Sequence, residues 1–246
     1  YFKDCKNNFN DYDIVYILNW PIYGYVFKYI DDKRRYSLVT TISSHVGRKN
    51  AKYMKNLFNK FDRISCSNKF LYKEFVCANL KPKIYYTPFG VNTDIFYSYK
   101  KEVSPEIFGW VGNKDRKVKR FLEIEKACKD QGVILKTALH TSGYSREKMR
   151  DFYNEISTLI CFSESEGTPN PVLEALACNR RVISTNVGNV PEINKNKKII
   201  NVVCDFNSLI HKINYYKNNN NYNNNYSFIE SWSWKEKYKN FLYFLK

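Results

Sequence analysis

The sequence predicts an α/β protein made of two Rossmann-like parallel-sheet units, and three observations carry this. Short β-branched or aromatic runs alternate with amphipathic segments along the chain. The runs are apolar nearly throughout, as expected of parallel strands covered on both faces. A stretch of mixed polarity at 88–106, with Pro88, Gly90 and Pro105, separates one series of runs from the next, as a domain linker does. Open sheets of this kind bind ligands beyond the C-terminal ends of their strands, so a cleft between the units is the expected site.

In the first series, "DIVYIL" (13–18), "YSLVTTI" (36–42), "DRISCS" (62–67) and "KIYYTP" (83–88) read as buried strands. Helical patterns around 22–30, 47–60 and 68–78 fill the gaps. The second series holds "IFGWVG" (107–112), "VILKTAL" (133–139), "TLICFS" (158–163), "RRVIST" (180–185) and "KIINVV" (198–203). Its helical patterns fall near 117–130, 145–156, 171–178 and 206–216. The asparagine tract at 218–226 is low in complexity and reads as a loop. Beyond it, "SWSWKEKYKNFLYFLK" reads as a closing amphipathic helix. The expected divisions are a first unit over 1–92, a second over 93–226 and a final helix over 227–246.

Composition narrows the function classes. At 246 residues, with 21 Tyr and 17 Phe, the chain can bury a real core. Its seven cysteines are odd in number and scattered, no CxxC pair occurs, and the three histidines stand far apart. This argues against a zinc site or disulfide framework and for a reducing cytoplasm. The chain opens at Tyr1 without a basic segment followed by an apolar one, so no signal peptide is expected. The longest apolar stretch, "IVYILNWPIYGYVF", is interrupted by Asn19, Pro21 and Gly24, which rules it out as a membrane span. The net charge of +16 has two readings, attraction for an anionic partner or a surface solvated by scattered lysines.

The stretch "SESEGTPNPVLEALAC" (163–178) follows a strand directly. Asn170 suits an N-cap and Pro171 the first helical position. Gly167, Thr168, Pro169, Asn170, Pro171 and Val172 then surround a helix start whose free amides suit a diphosphate. Glu166 stands in the loop and Glu174 in the first turn. A carboxylate accepts two hydrogen bonds from a vicinal diol, as at a cofactor ribose. Either one glutamate holds a ribose and the other the sugar on the far phosphate, or both merely complement the dipole of a capped helix.

A second constellation is "FGWVGNKDRKVKR" (108–120). Its strand runs into Gly112 and then into a helix whose first turns hold Lys114, Arg116, Lys117, Lys119 and Arg120. Cations at a helix N-terminus oppose the macrodipole and repel one another. A diphosphate between this terminus and the one at Pro171 relieves both effects; a solvated basic face is the other reading.

The run "SESEGTPNPVLEALACNRRVISTNVGNVPEI" (163–193) resembles the donor-site signature of retaining GT-B glycosyltransferases of the GT4 type. Glu166, Gly167, Pro171, Glu174, Gly188, Pro191 and Glu192 match the family pattern in order. "TPFGVNTDIF" resembles the inter-domain hinge and "SCSNKFLYKEF" the strand and helix before it. "WSWKEKYKNFL" resembles the C-terminal helix that crosses back to the first domain. The resemblance covers about residues 13–245. It implies a GT-B fold, with two Rossmann-like units facing a cleft. The N-terminal unit is incomplete, because the family's first strands and their Gly-rich loop have no counterpart in residues 1–12. The chain is then a fragment of a longer protein or a reduced member with a minimal first unit.

By this resemblance, Glu174 holds the nucleotide ribose, Glu166 holds a hydroxyl of the donor sugar, and the 167–170 loop lies near sugar and phosphates. The family's arginine after the glycine of the second unit's first strand is replaced by Asn113. Lys117 best matches the lysine that follows, with Arg116 or Lys114 as a substitute for the arginine. A family histidine near the sugar C6 falls close to His45, although the usual register lands on Ser43, and a structural role for His45 is equally open. "DYD" (11–13) has the form of a metal-binding DxD but lacks compatible surroundings.

The implied reaction moves a sugar from a UDP- or GDP-linked donor to an acceptor hydroxyl, with retention and without metal or cofactor. The implied acceptor is a glycan or lipid-linked molecule. The implied location is the cytoplasm, with peripheral contact to the anionic inner face of a membrane and no nucleic-acid partner. Two other classes stay open. One is a nucleotide-sugar-binding module without turnover. The other, on net charge alone, is a basic nucleic-acid-binding protein, for which every standard signature is missing.

Overall fold

The structure, a computed structural model, describes residues 9–18, 27, 30, 33–43, 54–100, 102–195, 199–219 and 226–246. Most of the helical pattern expected over 22–30, and the first part of that over 47–60, lie outside the described residues. The chain divides into two compact units, Tyr1–Pro88 with Lys239–Lys246, and Phe89–Tyr238.

The first unit carries a four-stranded sheet, β1 (Ile14–Ile17), β2 (Ser37–Ile42), β3 (Arg63–Cys66) and β4 (Lys83–Tyr86), in that spatial order and parallel throughout. Helices α1 (Lys55–Phe58) and α2 (Lys69–Cys77) separate the later strands. Asn68 starts α2 by accepting the Leu71 amide at 2.9 Å, satisfying one of the donors a helix start leaves open. Leu38, Ile42, Phe58, Ile64, Leu71 and Phe75 form its core. The buried Thr41 and Ser65 hydroxyls are tolerated in this unit because each has a partner: they pair with each other at 2.6 Å, and the half-buried Tyr16 donates to Thr41 at 2.6 Å. The end of the last helix packs on the same unit, with Phe241 and Phe244 edge-on to Tyr16. Arg63 donates to the Phe244 carbonyl at 2.9 Å, covering one of the acceptors a helix end exposes.

The second unit carries β5 (Ile107–Gly112), β6 (Ile134–Leu139), β7 (Thr158–Cys161), β8 (Arg181–Ser184) and β9 (Ile200–Val202), all parallel, in the order β6-β5-β7-β8-β9. Its helices are α3 (Phe121–Asp130), α4 (Arg146–Asn154), α5 (Asn170–Ala177), α6 (Val190–Asn194), α7 (Phe206–Asn218), α8 (Tyr226–Ile229) and α9 (Trp234–Leu245), the last running on into the first unit. Successive strand residues face opposite ways. Leu159 and Val182 therefore join α4, α5 and α6 in one core, while Ile160 and Ile183 join α3 and α7 in another. The two cores explain why these strands read as continuous apolar runs. The sheet order reverses direction between β5 and β7, which makes their C-terminal ends the switch point where open sheets collect ligands.

Two expectations need correction. The helix expected over 117–130 is broken: Lys117–Lys119 form a 3-10 turn, Arg120 takes a left-handed φ of 51°, and α3 begins at Phe121. The basic residues therefore lie in the approach to the helix and not in its first turns. Few non-glycine residues adopt this backbone geometry, and Arg120 is held there by its pair to Glu123 at 2.5 Å and by stacking 3.9 Å over Phe162. The second correction concerns α5. It starts at Asn170 with Pro169 at the capping position, so Asn170 is no N-cap and Pro171 is the second helical residue.

Candidate functional site

The loop from β7 to α5 is built against two neighbours. Ser163 is buried, and its carbonyl accepts the Thr185 hydroxyl at 2.6 Å. The Glu164 amide donates to the Val118 carbonyl at 2.9 Å, tying the loop to the 3-10 turn after β5. This tie brings Glu166 to Lys119. The ammonium Nζ lies 2.5 Å from Oε1, with the two side chains only 15% and 11% exposed. Ser163 donates to the same oxygen at 2.7 Å.

On the other side, Gly188 packs against the loop with φ +55°, and a Cβ there would lie 2.5 Å from the Gly167 carbonyl oxygen. Only glycine fits this approach. Beside it Asn189 is fully buried.

One turn into α5, Glu174 accepts the Tyr153 hydroxyl at 2.6 Å through Oε2. Burial raises the Glu174 carboxyl above its ordinary range; the Tyr153 hydrogen bond and the positive field of Arg146 oppose this without cancelling it. The Tyr153 phenol is pushed well up, first by its own burial and then by the neighbouring carboxylate. Glu174 lines a cavity of about 210 Å³, whose wall includes Phe89, Asn92, Arg146, Asn170 and Trp234. All of these belong to the second unit. A carboxylate, a guanidinium, two amides and two aromatic rings can hold a polar ring system bearing hydroxyls.

A second cavity of about 180 Å³ opens at the ends of β5 and β6, lined by Gly112, Asn113, Lys114, Asp115, His140 and Thr141. Asn113 accepts the Asp115 amide at 2.9 Å, which sets the turn after the strand. Lys114 reaches over the Phe121 ring at 4.2 Å.

The expected residues thus separate into groups. Glu166 and Glu174 occupy the same loop and helix but take different partners. Gly112, Asn113 and Lys114 stand together at the end of β5, while Arg116 and Lys117 are exposed. The cation brought to Glu166 is Lys119, a pairing the sequence did not indicate. The amides of the helix start are largely spoken for. Asn170 donates to Thr168 and Val172 to Pro169, both at 2.9 Å, while Pro171 has no N–H. The start of α5 accordingly offers few free amides to an anion, and the partly buried Lys119 is paired with Glu166. Thr168 keeps a buried hydroxyl without a protein partner. His45 and Asn19 lie outside the described residues, and Ser43 is exposed.

Sequence reasoning missed Tyr153, Arg146 and the pairing of Lys119 with Glu166. The left-handed residue that places Lys119 is an arginine, so no glycine marked the turn. Among the described residues, no cluster of three or more His, Cys, Asp or Glu stands together, and no helix is long and apolar enough to cross a membrane.

Residues 109–228, which include Lys119, Glu166 and Glu174, match the family of glycosyl transferases group 1. A search of curated protein sequences found no match. Several solved structures are similar. Sucrose-phosphate synthase from Thermosynechococcus elongatus is 13% identical over 95% of this chain and 73% of its own, with a TM-score of 0.66. HepE from Anabaena, solved with UDP and glucose, is 13% identical over 96% of this chain and 76% of its own, with a TM-score of 0.65. A variant of TarM from S. aureus, solved with Fondaparinux, alpha-GlcNAc-glycerol and UDP, is 14% identical over 91% of this chain, with a TM-score of 0.68. This chain spans 53% of that TarM chain. At such identities the likeness shows the fold, the paired parallel-sheet units of GT-B glycosyltransferases.

Proposed function

We propose that the second unit binds a nucleotide diphosphate sugar and that the protein transfers the sugar to an acceptor hydroxyl, with retention and without a metal ion. The observation that carries this reading is the pair of anchored glutamates on one loop and helix. Glu166 is held by Lys119, and Glu174 is held by Tyr153 at the cavity, within the segment that matches the family. In this reading Glu174 takes a ribose hydroxyl and Glu166 a hydroxyl of the donor sugar. Lys119 assumes the role first given to Lys117, meeting the diphosphate, with Lys114 and Arg116 as further cations near the end of β5. Charge grows on the diphosphate as the glycosidic bond breaks, and a preorganised cation in a partly dry site stabilises it more than water does. The departing phosphate assists removal of the acceptor proton on the same face of the sugar.

UDP is the first nucleotide to test, because HepE and TarM were each solved with it; GDP is the second. The acceptor is a glycan or a lipid-linked molecule. The net charge of +16 suits a peripheral place on an anionic cytoplasmic membrane face. Thermal-shift screening against UDP-, GDP-, ADP- and CMP-sugars tests the binding step, since a ligand of the folded state raises Tm by mass action. Release of nucleoside diphosphate in the presence of sugar acceptors tests transfer. A rise in Tm with one donor class and none with free sugars is the expected result. Equal and salt-sensitive binding of any oligonucleotide, with none of a nucleotide sugar, would overturn the reading.

A further inference from the structure

Tyr153 has no exposed surface and sits in the last turn of α4, where its ring meets Phe96 and Phe152 edge-on at 6.0 and 5.6 Å. A buried tyrosine hydroxyl needs an acceptor, and this one takes Oε2 of a carboxylate that lines a cavity. Among the described residues, no protein donor is placed on Oε1 of Glu174. One oxygen of the carboxylate is therefore anchored from the core and the other is the one left for a ligand. A freely turning carboxylate offers both oxygens to a vicinal diol; this one does not. Asn170, one turn earlier on α5, lines the same cavity and carries both a donor and an acceptor.

We propose that Tyr153 is a positioning residue for the nucleotide: it fixes Glu174 so that Oε1 meets one ribose hydroxyl, leaving the second hydroxyl to the Asn170 side chain. This rests on the reading of Glu174 as the ribose partner. The physical argument is rotational. Without the phenolic hydroxyl, Oε2 becomes a buried acceptor with no donor, and the carboxylate is free to turn toward the nearby Arg146 charge. What is lost is the alignment that a hydroxyl-bearing sugar uses, while contacts to base and phosphates are untouched.

Tyr153→Phe removes one oxygen and keeps the ring with its packing. Titration calorimetry with UDP and 2′,3′-dideoxy-UDP, and with the matching guanosine pair, reads the effect. In the unmutated protein the ribose form is expected to bind about tenfold or more tighter, as for a hydrogen bond to a charged group. In Tyr153→Phe the preference should shrink to about threefold or less, with the dideoxy affinity unchanged. Glu174→Gln, which retains side-chain shape and an acceptor for Tyr153, should lose the preference in the same way.

Equal weakening of both forms in Tyr153→Phe would overturn the proposal, leaving Tyr153 as a core residue only. So would a preserved ribose preference in either variant. If the unmutated protein binds nucleotides without any ribose preference, the role of Glu174 fails and this proposal with it. If no nucleoside diphosphate binds at all, the donor-binding reading itself fails.

Discussion

Replacing Lys119 by methionine keeps the length of the side chain and removes its charge. The pair to Glu166 is short, at 2.5 Å, and both side chains are at most 15% exposed, so screening by water is weak. Removing one partner of such a buried pair costs about 3–5 kcal/mol. Here Ser163 still donates to the same carboxylate oxygen at 2.7 Å, which places the loss nearer about 2–3 kcal/mol. For a chain of this size, that lowers Tm by about 4–12 °C. Lys117 is exposed, and Lys117→Met should stay within about 0.5 kcal/mol of the unmutated protein. The functional contrast follows the same line. If Lys119 meets the diphosphate as proposed, Lys119→Met should weaken UDP by about 10- to 150-fold through loss of that charge-assisted contact. Lys117→Met should weaken it by less than about threefold. Thermal melts and titration calorimetry on the two variants decide between the lysines. If Lys117→Met loses as much UDP affinity as Lys119→Met, the assignment drawn from the ion pair is wrong.

Gly188→Ala should destabilise by about 3 kcal/mol or more, because on top of the left-handed backbone its Cβ would lie 2.5 Å from the Gly167 carbonyl oxygen and 2.9 Å from the Pro169 ring. Gly143 has a similar φ of +57° with open space around it, so Gly143→Ala should lose only about 1–2 kcal/mol; thermal melts compare the two. The Glu174 carboxyl is raised by burial, so the folded state holds its proton more tightly than the unfolded chain does. Stability from this group is fully present below the ordinary carboxylate range and falls as pH rises toward the folded value. Glu174→Gln removes the dependence, so its Tm relative to the unmutated protein should climb between acid and neutral pH; a flat difference would contradict the burial argument. Glu166→Ala should weaken UDP-glucose more than UDP, measured by calorimetry with both ligands.

The fold was legible because its central strands are apolar on both faces, as Leu159 with Ile160 and Val182 with Ile183 illustrate. Strand positions follow the sequence reading to within two residues at either end. The positions of the two glutamates were legible, since a strand, a short loop and a helix start fix where residues 166 and 174 fall, while the roles expected of them came from the family resemblance. The pairing of Lys119 with Glu166 was not legible. Periodicity carries no sign of a left-handed arginine, so Arg120 hid the break that separates the 3-10 turn from α3 and sets Lys119 facing Glu166. Nor does the sequence show Tyr153, whose partner lies 21 positions away on another helix. The start of α5 differed by a single residue, yet that shift closes the Asn170 and Val172 amides into local turns and removes them from anion binding.

Titration of the unmutated protein and of Glu174→Ala with UDP-glucose and GDP-mannose tests the central claim most directly. One of the two donors should bind at a single site with micromolar to millimolar affinity. Glu174→Ala should weaken it by about 1.5–3 kcal/mol while the protein stays folded. Absence of binding by either donor, or binding that Glu174→Ala leaves unchanged, would contradict a nucleotide-sugar site built on α5.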